Sequence, residues 1–146
     1  MGKRRRAREL ALQFLYQYDA LQGSSPDIQG LEEQLSFFLD RNGISMQDET
    51  KEFCTALAAG TCKNLPHIDE IIGKFSEHWR LSRMSSIDRN IMRLSVYELI
   101  YLSNIPPAVT INEAVELGKK YGTEESGAFI NGILDKIRIA RDKGEI

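Results

Sequence analysis

The chain has 146 residues, long enough for one domain with a real core, and its 42% hydrophobic and 27% charged residues are ordinary for a globular protein. No apolar run approaches the roughly 20 residues that cross a bilayer, so no membrane segment is expected. The formal charge of −2 is unevenly spread: Lys3, Arg4, Arg5, Arg6 and Arg8 hold five of the 19 cations ahead of the first acid, Glu9, so the rest of the chain is distinctly acidic.

The periodicity predicts seven helices and no convincing strand, an all-α chain. The first helix runs from about Arg4 to Leu21, with Ala7, Leu10, Ala11, Phe14, Leu15 and Tyr18 on an i, i+3, i+4 stripe. GSSPD, from Gly23 to Asp27, ends it. The second covers about Gln29 to Arg41 and stops at NGIS (Asn42 to Ser45). The third covers about Asp48 to Asn64, with Phe53, Leu57 and Gly60 on one face. The fourth starts near Pro66, a favoured first helical residue, and carries Ile68, Ile71, Ile72 and Phe75. A further short helix near Trp79 is an option.

A capping box of Ser85 and Asp88 opens the fifth helix, which continues to about Ser103. One arc of it is polar: Ser86, Arg89, Asn90, Arg93 and Tyr97. The remainder is largely apolar, which predicts the central helix of its bundle. Glu98 falls on the Ile87–Ile91–Leu94 face, and a carboxylate there needs a partner; a structural ion pair is the expectation. Pro106 and Pro107 interrupt the chain. Thr110 and Glu113 read as a second capping box, opening a sixth helix from about Ile111 to Tyr121 with Gly122 as its stop. Thr123 is expected to cap the seventh helix, with Glu124 and Glu125 in its first turn and Ile130, Ile133, Leu134, Ile137 and Ala140 as its core stripe. The organisation expected is a single all-helical domain, residues 1–146. An N-terminal bundle over about 4–76 and a C-terminal bundle over about 84–143 meet at a seam near 76–84.

The basic start carries the functional signal. Cations at a helix N-terminus oppose the macrodipole by roughly 0.3–1 kcal/mol each. Either the segment is unwound, or an anion sits where free amides, dipole and guanidinium groups act together. Arg donates bidentately to phosphate and stacks on bases, so Lys3, Arg4, Arg5, Arg6 and Arg8 point to single-stranded RNA. Exposed aromatics are the other need of such a site. Tyr16 lies off the first helix's stripe and Phe129 at the edge of the seventh's; packing at the core periphery is the plain alternative for both.

Other chemistries lack a constellation. GKKYG (Gly118 to Gly122) lacks the G-x4-G-K-[ST] spacing of a phosphate loop, and no nucleophile elbow, H-E-x-x-H or Gly-rich cofactor signature occurs, so neither an enzyme nor a cofactor is expected. Cys54 and Cys62 are eight residues apart in one helix, a rise of about 12 Å and too far for a disulfide. With His67 and His78 they form no familiar zinc spacing, so no metal is expected. Glu9 and Asp19 break up any signal-peptide core; an Arg-rich transit peptide is the alternative to the default cytoplasmic reading.

Four segments together resemble the bacterial NusB family of transcription antitermination and ribosomal-RNA factors: RRRARELALQFLYQYD, IDRNIMRLSVYEL (Ile87 to Leu99), IPPAVTINEAVELGKKYG (Ile105 to Gly122) and SGAFINGILDKI (Ser126 to Ile137). The resemblance covers both ends and most of the C-terminal half; between about residues 22 and 80 it rests on helix count alone. It implies two packed helical bundles that bind boxA RNA together with NusE, a small-subunit ribosomal protein, and join the antitermination complex on RNA polymerase. It assigns Arg4, Arg5, Arg6 and Arg8 to an Arg-rich RNA-binding motif. It places Glu125 and Phe129 at the RNA-binding edge, and Tyr16 and Asp88 on the NusE-facing surface. Gly127-Ala128 stand where some relatives have more polar residues. A homodimerising or protein-docking module is the alternative.

Overall fold

The computed structural model describes residues 2–22, 30–44, 48–77 and 80–146. Among the described residues there are seven α-helices, one short 3-10 turn and no strand, as the periodicity predicts. GSSPD, the serine of NGIS and Trp79 lie outside the described residues. The helices form two compact units that divide between Lys63 and Asn64.

The first unit holds α1 (Lys3–Gln22), α2 (Leu31–Arg41) and α3 (Glu49–Lys63). Its main pairing is α1 on α3, with α2 packed mostly against α3. The predicted stripe of α1 is buried from Ala7 to Tyr18, as are Leu31, Leu35 and Leu39 of α2 and Cys54, Leu57 and Ala58 of α3. Phe14 meets Phe38 edge to face at 5.6 Å, which joins α1 to α2. Helix α2 ends where Asn42 turns its side-chain amide back to donate to the Phe38 carbonyl at 2.8 Å, followed by Gly43 at φ 75°.

The second unit holds α4 (Leu65–Phe75), a 3-10 turn (Leu81–Arg83), α5 (Ser86–Tyr101), α6 (Pro107–Tyr121) and α7 (Ser126–Asp142). Helix α5 packs against α4, α6 and α7, the central position its composition implies. Its polar arc is not a solvated face. Arg93 is buried and forks onto both carboxylate oxygens of Asp69 on α4, at 2.8 and 2.9 Å. Arg89 donates to the carbonyls of Leu81 and Met84. Because α4 packs on α5 and α7, it belongs to the second unit, and the division falls ahead of α4, not at the seam expected near 76–84.

Two local expectations are corrected. Helix α6 starts at Pro107, where the missing N–H and preset φ suit a first helical residue, so Thr110 is interior and caps nothing. Its hydroxyl instead donates to Glu98 Oε1 at 3.0 Å, which gives that buried carboxylate a hydrogen-bond donor. Helix α7 starts at Ser126, two residues later than a Thr123 cap would place it. Ser126 is buried and its hydroxyl accepts from the Thr123 amide at 2.9 Å, which shapes the turn between α6 and α7. Gly122 stops α6 at φ −97°, outside the left-handed region. Glycine is required there by space: a Cβ would stand 2.7 Å from that of Ser126.

Candidate nucleic-acid interface

The Arg-rich start is helical. Arg6 N–H donates to the Gly2 carbonyl at 3.1 Å, so the i to i−4 ladder closes at the first opportunity. Lys3, Arg4, Arg5 and Arg6 are exposed, and the first turn contains no acid. Four cations therefore crowd the positive end of the helix dipole, an arrangement that an approaching polyanion would relieve.

Arg8 departs from the expectation. It is only 3% exposed, and its guanidinium lies 5.2 Å from the centre of the Phe53 ring on α3. Arg4, one turn earlier on the same face, lies 4.7 Å from the same ring. Arg8 is thus a buried member of the motif and offers almost no surface to a ligand. The signal was present in the sequence: position 8 lies three residues before Ala11 and seven before Leu15, on the core stripe. Beside this cluster is an open groove of about 430 Å³, lined by Lys3, Arg4, Glu49, Glu52, Phe53 and Ala56. At its α3 end, Asp48 Oδ1 accepts from the Thr50 amide at 2.9 Å. That bond, helped by the charge of Lys3, holds the Asp48 carboxyl below its ordinary value of 3.8. Tyr16, also on α1, is 45% exposed and free of the core stripe.

The remaining candidates belong to the second unit. Glu125 is exposed at the N-cap position of α7 and makes no side-chain capping bond. Phe129 is half-buried one turn later, its amide donating to the Glu125 carbonyl at 3.1 Å, so the two side chains share a helix face. Between them Gly127 is buried near Val115 and Lys119 of α6, whereas Ala128 is exposed. Asp88 lies in the first turn of α5. Its amide donates to Ser85 Oγ at 3.1 Å, which is half of the predicted capping box. The reciprocal half does not form: Asp88 Oδ1 is buried with no hydrogen-bond partner among the described residues.

The NusB family model matches residues 5–138. The chain belongs to the NusB family. A NusB-family relative from Desulfosudis oleivorans, named transcription antitermination protein NusB, is 47% identical over 94% of this chain and 86% of its own length. Another of the same name from Trichlorobacter lovleyi is 49% identical over 94% and 91%. Among solved NusB-family structures, that of T. maritima NusB superposes with a TM-score of 0.81 at 38% identity, covering 98% of this chain and 97% of that one. The crystal structure of antitermination factors NusB and NusE in complex with dsRNA superposes at 0.80 with 32% identity, covering 96% and 98%. The NusB fold is therefore common to all of them.

Among the described residues no cluster of three His, Cys, Asp or Glu side chains could hold a metal ion, and no helix is long and apolar enough to cross a membrane. Cys54 and Cys62 are buried free thiols, and burial pushes the Cys54 thiol up to about 12, which makes it inert at neutral pH. The residue that sequence reasoning missed is Phe53. Its periodicity identified it as a core-face residue, and nothing in the spacing reveals that two guanidinium groups 45 or more residues away stack on it.

Proposed function

We propose that this protein is a cytoplasmic RNA-binding antitermination factor that recognises boxA RNA of ribosomal RNA operons together with NusE and joins the antitermination complex on RNA polymerase. The observation that carries the reading is the first turn of α1, with four exposed cations and no acid at the positive pole of a formed helix. A related chain, 32% identical, was crystallised with NusE and dsRNA, which supports the same class of partners here.

In this mechanism Lys3, Arg4, Arg5 and Arg6 take the RNA backbone, and the buried Arg8 supports them from below. Phe129 offers a ring face to an unstacked base, and Glu125 accepts from base amino groups. Tyr16 and Asp88 face NusE. The unpartnered Asp88 oxygen supports that role, since a buried acceptor without a donor is costly and a donor from a partner protein would satisfy it.

The test is fluorescence anisotropy with boxA-like and scrambled single strands, with and without NusE, across a range of salt. Four phosphate contacts give a slope of log K against log salt of roughly −2.8 for a single strand. Arg5→Ala with Arg6→Ala should weaken binding to both RNAs and flatten the slope by about 1.4. Phe129→Ala should mainly erode the preference for boxA over the scrambled strand. Equal, weak binding to both RNAs that ignores NusE would sink the proposal and favour a homodimerising or protein-docking module.

A further inference from the structure

We infer that Phe53 is a positioning residue of the RNA site: its ring holds the guanidinium groups of Arg4 and Arg8 and thereby sets how the first turn of α1 presents its cations. The inference rests on the RNA-binding reading above and adds to it a residue outside the Arg-rich segment. Three observations carry it. Arg4 and Arg8 are four residues apart on one face of α1, where like charges repel. Both guanidinium groups lie within cation–π range of one ring, at 4.7 and 5.2 Å, and the negative ring face offsets that repulsion. The half-buried ring stands on α3, whose packing with α1 is the main contact of the first unit, so the backbone that carries it is fixed against α1.

The groove beside the ring is not itself a phosphate pocket. Glu49 and Glu52 line it together with Lys3 and Arg4, and their carboxylates would repel a phosphate placed within it. The ring's role is therefore to anchor one flank of α1 so that the other cations of the first turn face outward with less orientational entropy to lose on binding.

The test is a double-mutant cycle on the full chain, read by RNA anisotropy. Phe53→Leu keeps apolar bulk but removes the ring face; Phe53→Tyr keeps the face. Phe53→Leu should weaken RNA binding roughly two- to fivefold, the range expected for an exposed cation–π contact. Phe53→Tyr should bind like the parent. In an Arg4→Ala, Arg8→Ala background, Phe53→Leu should have no further effect. The same loss in both backgrounds, or no loss in either, would overturn the inference while leaving RNA binding intact. A second readout needs no RNA: the Arg4 side-chain Hε resonance should carry a ring-current shift that Phe53→Leu abolishes. Its absence in the parent also overturns the inference. A parent protein whose RNA binding ignores Arg4, Arg5 and Arg6 would instead overturn the RNA reading itself, with the ring-current shift still present.

Discussion

Helices α1 and α5 begin in opposite ways. Helix α5 starts as stability would choose: Ser85 accepts from the Asp88 amide and an acid sits in the first turn, against the positive end of the dipole. Helix α1 starts with Lys3, Arg4, Arg5 and Arg6 and no acid at all. The contrast teaches where to look for binding. A helix start whose residues satisfy its own amides and dipole has little left for a ligand. One that stacks cations on a positive pole is held helical by its neighbours, here through the Ala7 to Tyr18 stripe and the Phe53 ring, and presents a dense positive charge at its surface. Even α5 keeps one unmet group, the buried Asp88 oxygen, and that is the part of it proposed to face a partner protein.

The contrast can be broken most severely in the core that supports α5. Leu94 is 1% exposed, and Leu94→Ala should cost about 2–5 kcal/mol in urea denaturation. The folded fraction should still bind RNA with parental affinity per active molecule, because the substitution removes no group proposed to touch RNA. A parallel loss of intrinsic affinity would show that the two helix starts are not independent.

A smaller effect separates the two starts directly. Ser85→Ala removes the acceptor of the Asp88 amide and should lower stability by about 1 kcal/mol. Removing Arg5 and Arg6 together should leave the thermal midpoint unchanged or raise it, since two cations leave the unfavourable pole of α1. A midpoint that falls for both variants would mean that the cations of α1 are structural, as the cap of α5 is.

The smallest effect concerns pH. The Asp48 carboxyl at the start of α3 is held below its ordinary 3.8, chiefly by the Thr50 amide. A depressed folded-state value means its contribution to stability is fully present above the unfolded-state value and is lost as pH falls through the lower folded one. The parent's thermal midpoint should therefore drop more steeply than that of Asp48→Asn as pH falls below about 4. Identical slopes would remove Asp48 from the account of how α3 is capped.

How much was legible varied with the range of the interaction. The seven helices, the core stripes and the central place of α5 follow from local periodicity, because a 3.6-residue repeat of apolar side chains has one way to hide its face. The Ser85 cap was legible for the same reason, as its partner is three residues away. The start of α6 was misread because Thr110 matches a capping pattern, while its hydroxyl is claimed by Glu98, twelve residues back on another helix. The start of α7 was misread because Ser126, not Thr123, makes the turn.

The candidate site divides along the same line. The sequence by itself determined that an acidic chain carries a cluster of cations at the beginning of a helix, since charge and position are both local properties. Only the tertiary structure decided which of those cations remain exposed. Burial against α3 takes Arg8 out of solvent, while Lys3, Arg4, Arg5 and Arg6 stay exposed, Arg4 with its guanidinium over the Phe53 ring. The physical reason is that exposure and cation–π contact depend on which helix packs beside α1. That partner, α3, begins 46 residues after Lys3, a distance over which no local pattern carries information.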